Sequence, residues 1–518
     1  MNRQGQSRHS WNQSGNGTSR LEAGEKRRRC WFIPVLLLFC LGTVWGDAER
    51  PNEDSLFGGT SPAPAPEGVT QSAATPEQRD SQELTPSQPG PDDFATGAVA
   101  DNALQIGGVL YQRMVISSQT GVSASDTPFS LPLQFDAFMD ARPNDRVRAY
   151  VDGRLMYDST RDAYSNSTHG SNGALPSLGS FTASPSLPNN PQTVLDQAWL
   201  KFDLERTVFL TMGKQHVKWG ASRYWNPTDF LNSQKRDPLL PYDLRLGTTM
   251  LKVDVPWETK KANFSALALF DDPQPSSTLG QVGGAFRAEA VLWDAEVGLD
   301  AVMRDGRTPV YGADISGPLG PLDAYAEAAC YSEAAGPVYQ ILASPTAGAD
   351  LSSLVTSSIP LGPQVQASAG LDYSFAWKEN RQADLGAEYF FNQTGYTDPR
   401  VYPALIFYGQ YQPLYLGRQY AAVYLTAEGP DEAKNTSYTF STLGNLSDGS
   451  VLSRVDFSWT MLTYLVFQCY VDGHYGAPNG EFDFSLDTPP LTYLSNIVPA
   501  AHLPAPICDF GASLRLAF

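Results

Sequence analysis

From Ala103 to Phe518 the chain repeats one design. Segments of about ten residues alternate apolar with polar side chains, and clusters of Gly, Pro, Asn, Asp and Ser separate them. Val147, Ala149, Val151, Leu155 and Tyr157 alternate with Arg146, Arg148, Asp152 and Arg154, and Ala198, Leu200, Phe202 and Leu204 with Gln197, Trp199, Lys201 and Asp203. Val365, Ala367, Ala369, Leu371, Tyr373 and Phe375 alternate with Gln366, Ser368, Asp372 and Ser374, while Val455, Phe457 and Trp459 oppose Arg454, Asp456 and Ser458. Side chains of a strand point alternately to two faces, so each segment is a strand with one face suited to lipid and one to water. About eighteen such segments fill the 416 residues, roughly 23 residues for each strand with its connection. The connections sort by parity. Even ones are short, among them Glu205–Arg206, Trp293–Asp294, Lys378–Gln382 and Met461–Thr463; most odd ones are long, among them Asp158–Gln192, Trp219–Leu244, Ser332–Gln364, Gln393–Leu416 and Gly476–Pro506. A barrel crossing a membrane requires this sorting and a soluble sandwich does not. The expected fold is all-β: a transmembrane antiparallel up-and-down β-barrel of roughly 16–18 strands, whose closure satisfies every backbone group in lipid.

The chain ends Phe-Gly-Ala-Ser-Leu-Arg-Leu-Ala-Phe. Phe510, Ala512, Leu514, Leu516 and Phe518 share one face of this last strand. Gly511, Leu514, Leu516 and Phe518 resemble the C-terminal assembly signal of bacterial outer-membrane β-barrel proteins, a Gly followed by spaced apolar residues and a terminal Phe. The resemblance implies that barrel-assembly machinery recognises this end. It also places the short connections on the periplasmic side and the long ones outside.

The N-terminus fits export. Lys26, Arg27, Arg28 and Arg29 precede an apolar core, Cys30 to Trp45, so that residues 1–46 read as a signal peptide cleaved after Gly46. A lipoprotein signal ending at Cys40 and an uncleaved anchor are the rival readings. Residues 47–102 are rich in Pro, Ser, Gln and acids and nearly free of large apolar side chains. They cannot bury enough surface to offset their ordering entropy and are expected to form a disordered leader, with 103–518 as the barrel. The first 46 residues carry a net +5, so the remainder holds −24 against −19 for the whole chain. That excess of negative charge disfavours nucleic acid as a partner. Cys330, Cys469 and Cys508 are widely spaced and indicate neither a disulfide framework nor a zinc site.

The densest local pattern is Gly213 to Asn232, Gly-Lys-Gln-His-Val-Lys-Trp-Gly-Ala-Ser-Arg-Tyr-Trp-Asn-Pro-Thr-Asp-Phe-Leu-Asn. It resembles a motif of porin-like outer-membrane proteins in which Gly, a basic residue and Gln, then Trp-Gly, then Asn-Pro-x-Asp-x-Leu mark one strand and the loop after it. The direct match covers about twenty residues; strand texture extends the likeness loosely over Ala103–Phe518. Two readings stand for this stretch. In one, Lys214, His216, Lys218, Trp219, Gly220, Arg223, Asn226, Pro227 and Asp229 belong to a loop folded into the lumen that helps set the passage. In the other they form a structural corner. Gly220 and Pro227 supply bends, and Trp219, Tyr224 and Trp225 supply packing surface.

Lumen-facing positions include Arg146, Arg148, Asp152, Arg154, Lys201, Asp203, Lys252, Asp254, Arg454 and Asp456, expected to line a channel. The bland alternative is that these charges pair and brace the wall. Four histidines follow residue 46, His169, His216, His474 and His502, and none has metal-ligand spacing; Gly-x-Ser-x-Gly and His-Glu-x-x-His are absent. No enzyme activity, cofactor or metal is therefore expected, and His474 reads as a residue at the lipid-water boundary. The expected function is an outer-membrane porin-like channel for passive diffusion of small hydrophilic solutes. The alternatives are a surface-display or adhesion barrel acting through its outer loops and an outer-membrane hydrolase. The partners of that reading are outer-membrane lipid, the barrel-assembly machinery, small hydrophilic solutes and, as one assembly state, a homotrimer.

Overall fold

The structure, a computed structural model, describes residues 103–160 and 190–518 apart from 233, 241–242, 271–277, 334–335, 379–380, 430–434, 494–495 and 499. The expected signal peptide (1–46) and leader (47–102), and most of the second long connection, lie outside the described residues.

Among the described residues eighteen antiparallel strands, with the two-residue strand Phe129–Ser130 added against the first, form one closed wall: β1 (Leu104–Gln119), β2 (Pro132–Asn144), β3 (Val147–Asp158), β4 (Gln192–Leu204), β5 (Val208–Gln215), β6 (Thr248–Trp257), β7 (Ala262–Leu269), β8 (Gly283–Leu292) and β9 (Ala295–Met303). They continue as β10 (Val310–Leu319), β11 (Leu322–Tyr331), β12 (Gln364–Lys378), β13 (Arg381–Asn392), β14 (Gln419–Glu428), β15 (Thr436–Asn445), β16 (Ser450–Leu462), β17 (Leu465–Gly476) and β18 (Pro506–Ala517). Each strand pairs with its sequence neighbours, and β18 returns to β1 in a register running from Val109↔Ala517 to Gln119↔Pro506. Phe518 completes the seam: its N–H donates to Gly108 O at 3.0 Å, and its carbonyl accepts from Gly108 N at 2.8 Å.

Connections at one end are tight. At Glu205–Arg206 and Trp293–Asp294 both residues take positive φ (52° and 55°, 52° and 67°), the conformation a short hairpin needs to match strand twist. The other end carries the long loops, including the third (216–247), sixth (332–363), seventh (393–418) and ninth (477–505).

The alternation fixes inside and outside. On β3, Arg148, Tyr150, Asp152 and Arg154 are buried, while Val151, Leu155 and Tyr157 are exposed on the outer face. The same outer face carries Leu200, Met212, Phe286, Leu299, Val423, Phe440 and Val455. Aromatic side chains rim this apolar band at both ends: Trp257, Trp377, Tyr438 and Trp459 toward the tight turns, and Tyr157, Tyr311, Tyr389 and Tyr475 toward the long loops. An apolar belt between aromatic girdles is the surface a bilayer solvates best. No helix among the described residues is long and apolar enough to cross a membrane.

Over the long-loop end, the sixth, seventh and ninth loops share an apolar core. Val401, Tyr402, Leu405, Ile406 and Leu416 pack with Phe484 and Leu486, and Leu351, Leu354 and Val355 with Ala404 and Leu491. Tyr402 and Leu405 come from a one-and-a-half-turn helix, Tyr402–Phe407, with Pro403 in its first turn.

Candidate functional site

The third long loop begins where β5 ends. Gly213 sits at φ +124°, and a Cβ there would lie 2.1 Å from Ala198 O, so only glycine lets β5 run this close to β4. At the loop's base Asp196, the bulged residue of β4, gathers both ends of the segment. It meets His216 Nε2 at 3.0 Å, accepts from Gly247 N at 3.3 Å and accepts from Arg154 Nη2 at 2.8 Å. Arg154 also donates to Asp136 at 3.1 Å and to Leu244 O at 3.0 Å, tying the returning arm to the wall.

From this base the segment reaches β11–β14. The backbone N–H groups of Arg223, Tyr224 and Trp225 all donate to the Glu388 carboxylate of β13, at 2.9, 3.0 and 2.8 Å. Tyr325 of β11 donates its hydroxyl to the same group at 2.9 Å. Three consecutive amides converging on one carboxylate form an anion nest, which here holds an acid belonging to the wall itself. Beside it Glu327 of β11 accepts from the Thr228 hydroxyl and, at 3.3 Å, from Ser368 Oγ, which meets Ser222 Oγ at 2.6 Å. Gly220 has φ +89°, and a Cβ there would lie 2.0 Å from Glu327 Oε2, so the loop can press on this acid only through glycine.

Apolar contacts complete the latch. Trp225 is fully buried; it stacks on Phe390 (5.8 Å between centroids, 3° between planes), lies 5.4 Å from Tyr420 and donates Nε1–H to Leu414 O at 2.8 Å. Trp219, Phe230 and Leu231 enter a second cluster with Met250, Leu267 and Leu269. Within the loop Arg245 bridges Asp229 and Asp243. Burial alone would raise the Asp243 carboxyl, but the hydrogen bonds and charge of Arg245 hold it below the usual carboxylate range. Burial pushes the Tyr224 hydroxyl up to about 12, so it stays a neutral phenol.

Of the loop residues singled out in the sequence, His216, Trp219, Gly220, Arg223, Asn226 and Asp229 have contacts inside this assembly. Arg223 lies over the Tyr424 ring at 3.9 Å, and Asn226 donates Nδ2–H to Trp219 O at 2.7 Å. Pro227 is buried within the turn, and Lys218 follows His216 on the inbound arm. Lys214, expected in the inward loop, stands outside it. It is the penultimate residue of β5, paired with Ala198 and Thr249 on the face that carries Met212, and its ammonium donates to Leu195 O at 2.8 Å. Its parity is outward because Phe209, Thr211 and Gln215 take the inward positions.

The charged wall positions divide in two. Arg148, Asp152, Arg154 and Arg454 are at most 3% exposed and Asp203 is 8% exposed, whereas Arg146, Lys201, Lys252, Asp254 and Asp456 keep more accessible surface. The basic ladder is paired: Arg148 with Asp140 (2.9 Å), Arg154 with Asp136 and Asp196, and Arg146 with Asp203 (3.2 Å). Lys252 meets Asp254 at 3.2 Å and Arg454 meets Asp456 at 2.7 Å. His474 departs from its expected place as well. It does not lie at the lipid boundary but on the inward face of β17, with its side chain fully buried. The anchors Glu388, Glu327 and Asp196 were not separable in sequence from other inward acids, because their donors lie up to 165 residues away.

No family model matches the sequence, and no curated protein matches it. Solved structures similar in outline include an engineered triple mutant of the Rhodopseudomonas blastica porin, at 11% identity and a TM-score of 0.38 over 80% of this chain and 100% of that one. Others are a double mutant of the same porin, at 10% identity and 0.38 over the same shares, and a chain described under asymmetric conductivity of engineered proteins, at 11% and 0.37, again over 80% and 100%. Superpositions this loose carry no argument, and the barrel rests on the strand register of the chain itself.

Proposed function

We propose that the protein is a porin-like channel of the bacterial outer membrane through which small hydrophilic solutes diffuse passively, with no cofactor, no energy coupling and no catalytic step. The observation that carries this reading is the third long loop, latched across the inner wall by Glu388 and Glu327. A structural corner would need its tryptophans packed but would not need the segment to cross to β11–β14. The latched loop narrows the long-loop half of the lumen, and solutes approach it along the half nearer the tight turns. There Arg146, Lys201, Lys252, Asp254 and Asp456 remain accessible and set a mixed field that selects by size more than by sign.

The test is reconstitution of the assembled barrel into planar bilayers. Discrete conductance steps of low ion selectivity support the channel; a bilayer that stays sealed over many insertions refutes it. A second reading, display through the outer loops, is favoured by the apolar core that fuses the sixth, seventh and ninth loops into one platform. Under that reading the sealed bilayer would be accompanied by saturable binding of the barrel to a host or cell-wall component.

A further inference from the structure

Outside the latched loop, one buried cluster of ligating groups stands apart. Asp472 of β17 and Asp509 of β18 face each other in register on the inner wall, and His474 follows two positions along β17 on the same face. Their side chains are 0%, 1% and 0% exposed for Asp472, Asp509 and His474. Among the described residues no hydrogen-bond donor reaches either carboxylate oxygen of Asp509, or Oδ2 of Asp472. Asp472 Oδ1 accepts from Asp509 N at 3.0 Å. Arg454, opposite Asp472 in the ladder, donates Nε–H and Nη2–H to Asp456 and lies over the Tyr470 ring at 3.7 Å. Two carboxylates directly opposed and cut off from water repel each other and lack the solvation a charge requires, so this pair calls for a cation between them, a role open to a bound ion or to the His474 imidazolium.

The geometry says which kind. His474 Nδ1 lies 2.9 Å from Phe482 O. A carbonyl only accepts, so Nδ1 carries a proton, and with the ring in its neutral form Nε2 turns a lone pair toward the carboxylates. Nε2 is 3.4 Å from Asp472 Oδ1 and 3.7 Å from Asp509 Oδ2. A tetrahedral ion bound at roughly 2.0–2.2 Å to nitrogen and oxygen holds its ligands about 3.3–3.6 Å apart. One ligand atom from each residue falls within 4.8 Å of the others. A single imidazole with two carboxylates suits a first-row transition ion better than calcium, which collects six to eight oxygens.

We propose that Asp472, His474 and Asp509 bind one divalent transition-metal cation of the zinc type, with solvent completing its coordination. The ion clasps the last two strands together beneath the turn Glu481–Asp483, whose Phe482 carbonyl orients the histidine. The site is independent of whether the barrel conducts.

The experiment uses the full, untagged chain assembled in detergent and stripped with a chelator, titrated with zinc by calorimetry and with cobalt by visible absorption. The expected result is one equivalent per chain and the strong d–d bands of low-coordinate cobalt, with affinity falling roughly 100-fold or more in both Asp509→Asn and His474→Gln. Assembly of each variant is checked by heat-dependent gel mobility. Absence of saturable binding by the wild-type barrel overturns the proposal, leaving an imidazolium on His474 as the group between the acids. Undiminished binding by the assembled variants overturns it as well. Should neither variant assemble, the cobalt spectrum decides: the weak bands of an all-oxygen octahedral ion would exclude His474 as a ligand.

Discussion

Removing the Glu388 carboxylate isolates the latch from the barrel. Glu388 accepts three backbone hydrogen bonds from Arg223, Tyr224 and Trp225 and one from Tyr325, while the β13 ladder is made by its main chain. Hydrogen bonds to a charged acceptor contribute about 1.5–3 kcal/mol each, but four on one group do not add, so about 5 kcal/mol is the expected loss in Glu388→Ala. That is more than a thousandfold in the equilibrium between latched and released loop. Trypsin acting on the assembled barrel should then cut at Lys235 and Arg236, which the wild type protects. In the channel reading single-channel conductance should also rise. Glu388→Gln keeps an acceptor but turns an amide N–H toward the same donors, and should fall between. An assembled Glu388→Ala barrel with wild-type protection and wild-type conductance would refute the latch.

Four further outcomes are expected. Burial pushes Glu481 of the ninth loop up to about 7, above its unfolded value of about 4.3, against hydrogen bonds from Tyr420, Leu414 N and Asn445. The folded state therefore holds the extra proton between those values. The contact between the seventh and ninth loops is at full strength in acid, loses up to about 3 kcal/mol as pH rises to 7 and is flat above, as amide exchange at Leu414 should show; Glu481→Gln should abolish the dependence. Arg154→Ala takes the guanidinium away from buried Asp136 and Asp196, leaving Asp196 only His216, and should cost about 3–5 kcal/mol in denaturant unfolding followed by gel mobility. Phe518→Ser should lower the yield of assembled barrel while the assembled fraction conducts normally; an unchanged yield would remove the assembly role of the C-terminal Phe. A membrane-impermeant maleimide on intact cells should label Ser447→Cys at the long-loop end and spare Thr463→Cys at the tight-turn end, and the reverse pattern would invert the proposed orientation.

Strand faces and loop parity were legible because period two and turn chemistry are local properties: Arg148, Asp152 and Arg154 fell inward as their spacing required. Lys214 misled because it continues the basic run Lys214, His216, Lys218, whereas parity along β5 belongs to Thr211 and Gln215. The charged ladder was visible and its pairing was one of the two readings offered, but its partners were not, since Asp136, Asp140 and Asp196 reach it across strands. The latch was illegible for the same reason in stronger form. An anion nest made of backbone N–H groups has no side-chain signature, and its acid lies far down the chain. His474 was legible in principle: it alternates with Val471 and Tyr475 and shares its parity with Asp472.

The seam between β1 and β18 has a consequence for the order of events. Joining strands about 400 residues apart carries a closure cost of roughly 5 kcal/mol, and no hydrogen bond across that seam can form until Pro506–Ala517 have arrived. Until then two bare edges face each other, each a template for any foreign strand. The wall thus lacks a stable half-built form. Its integrity is a property of the finished hoop, and a nascent chain that stalls short of Pro506 is left as an open sheet rather than a smaller barrel.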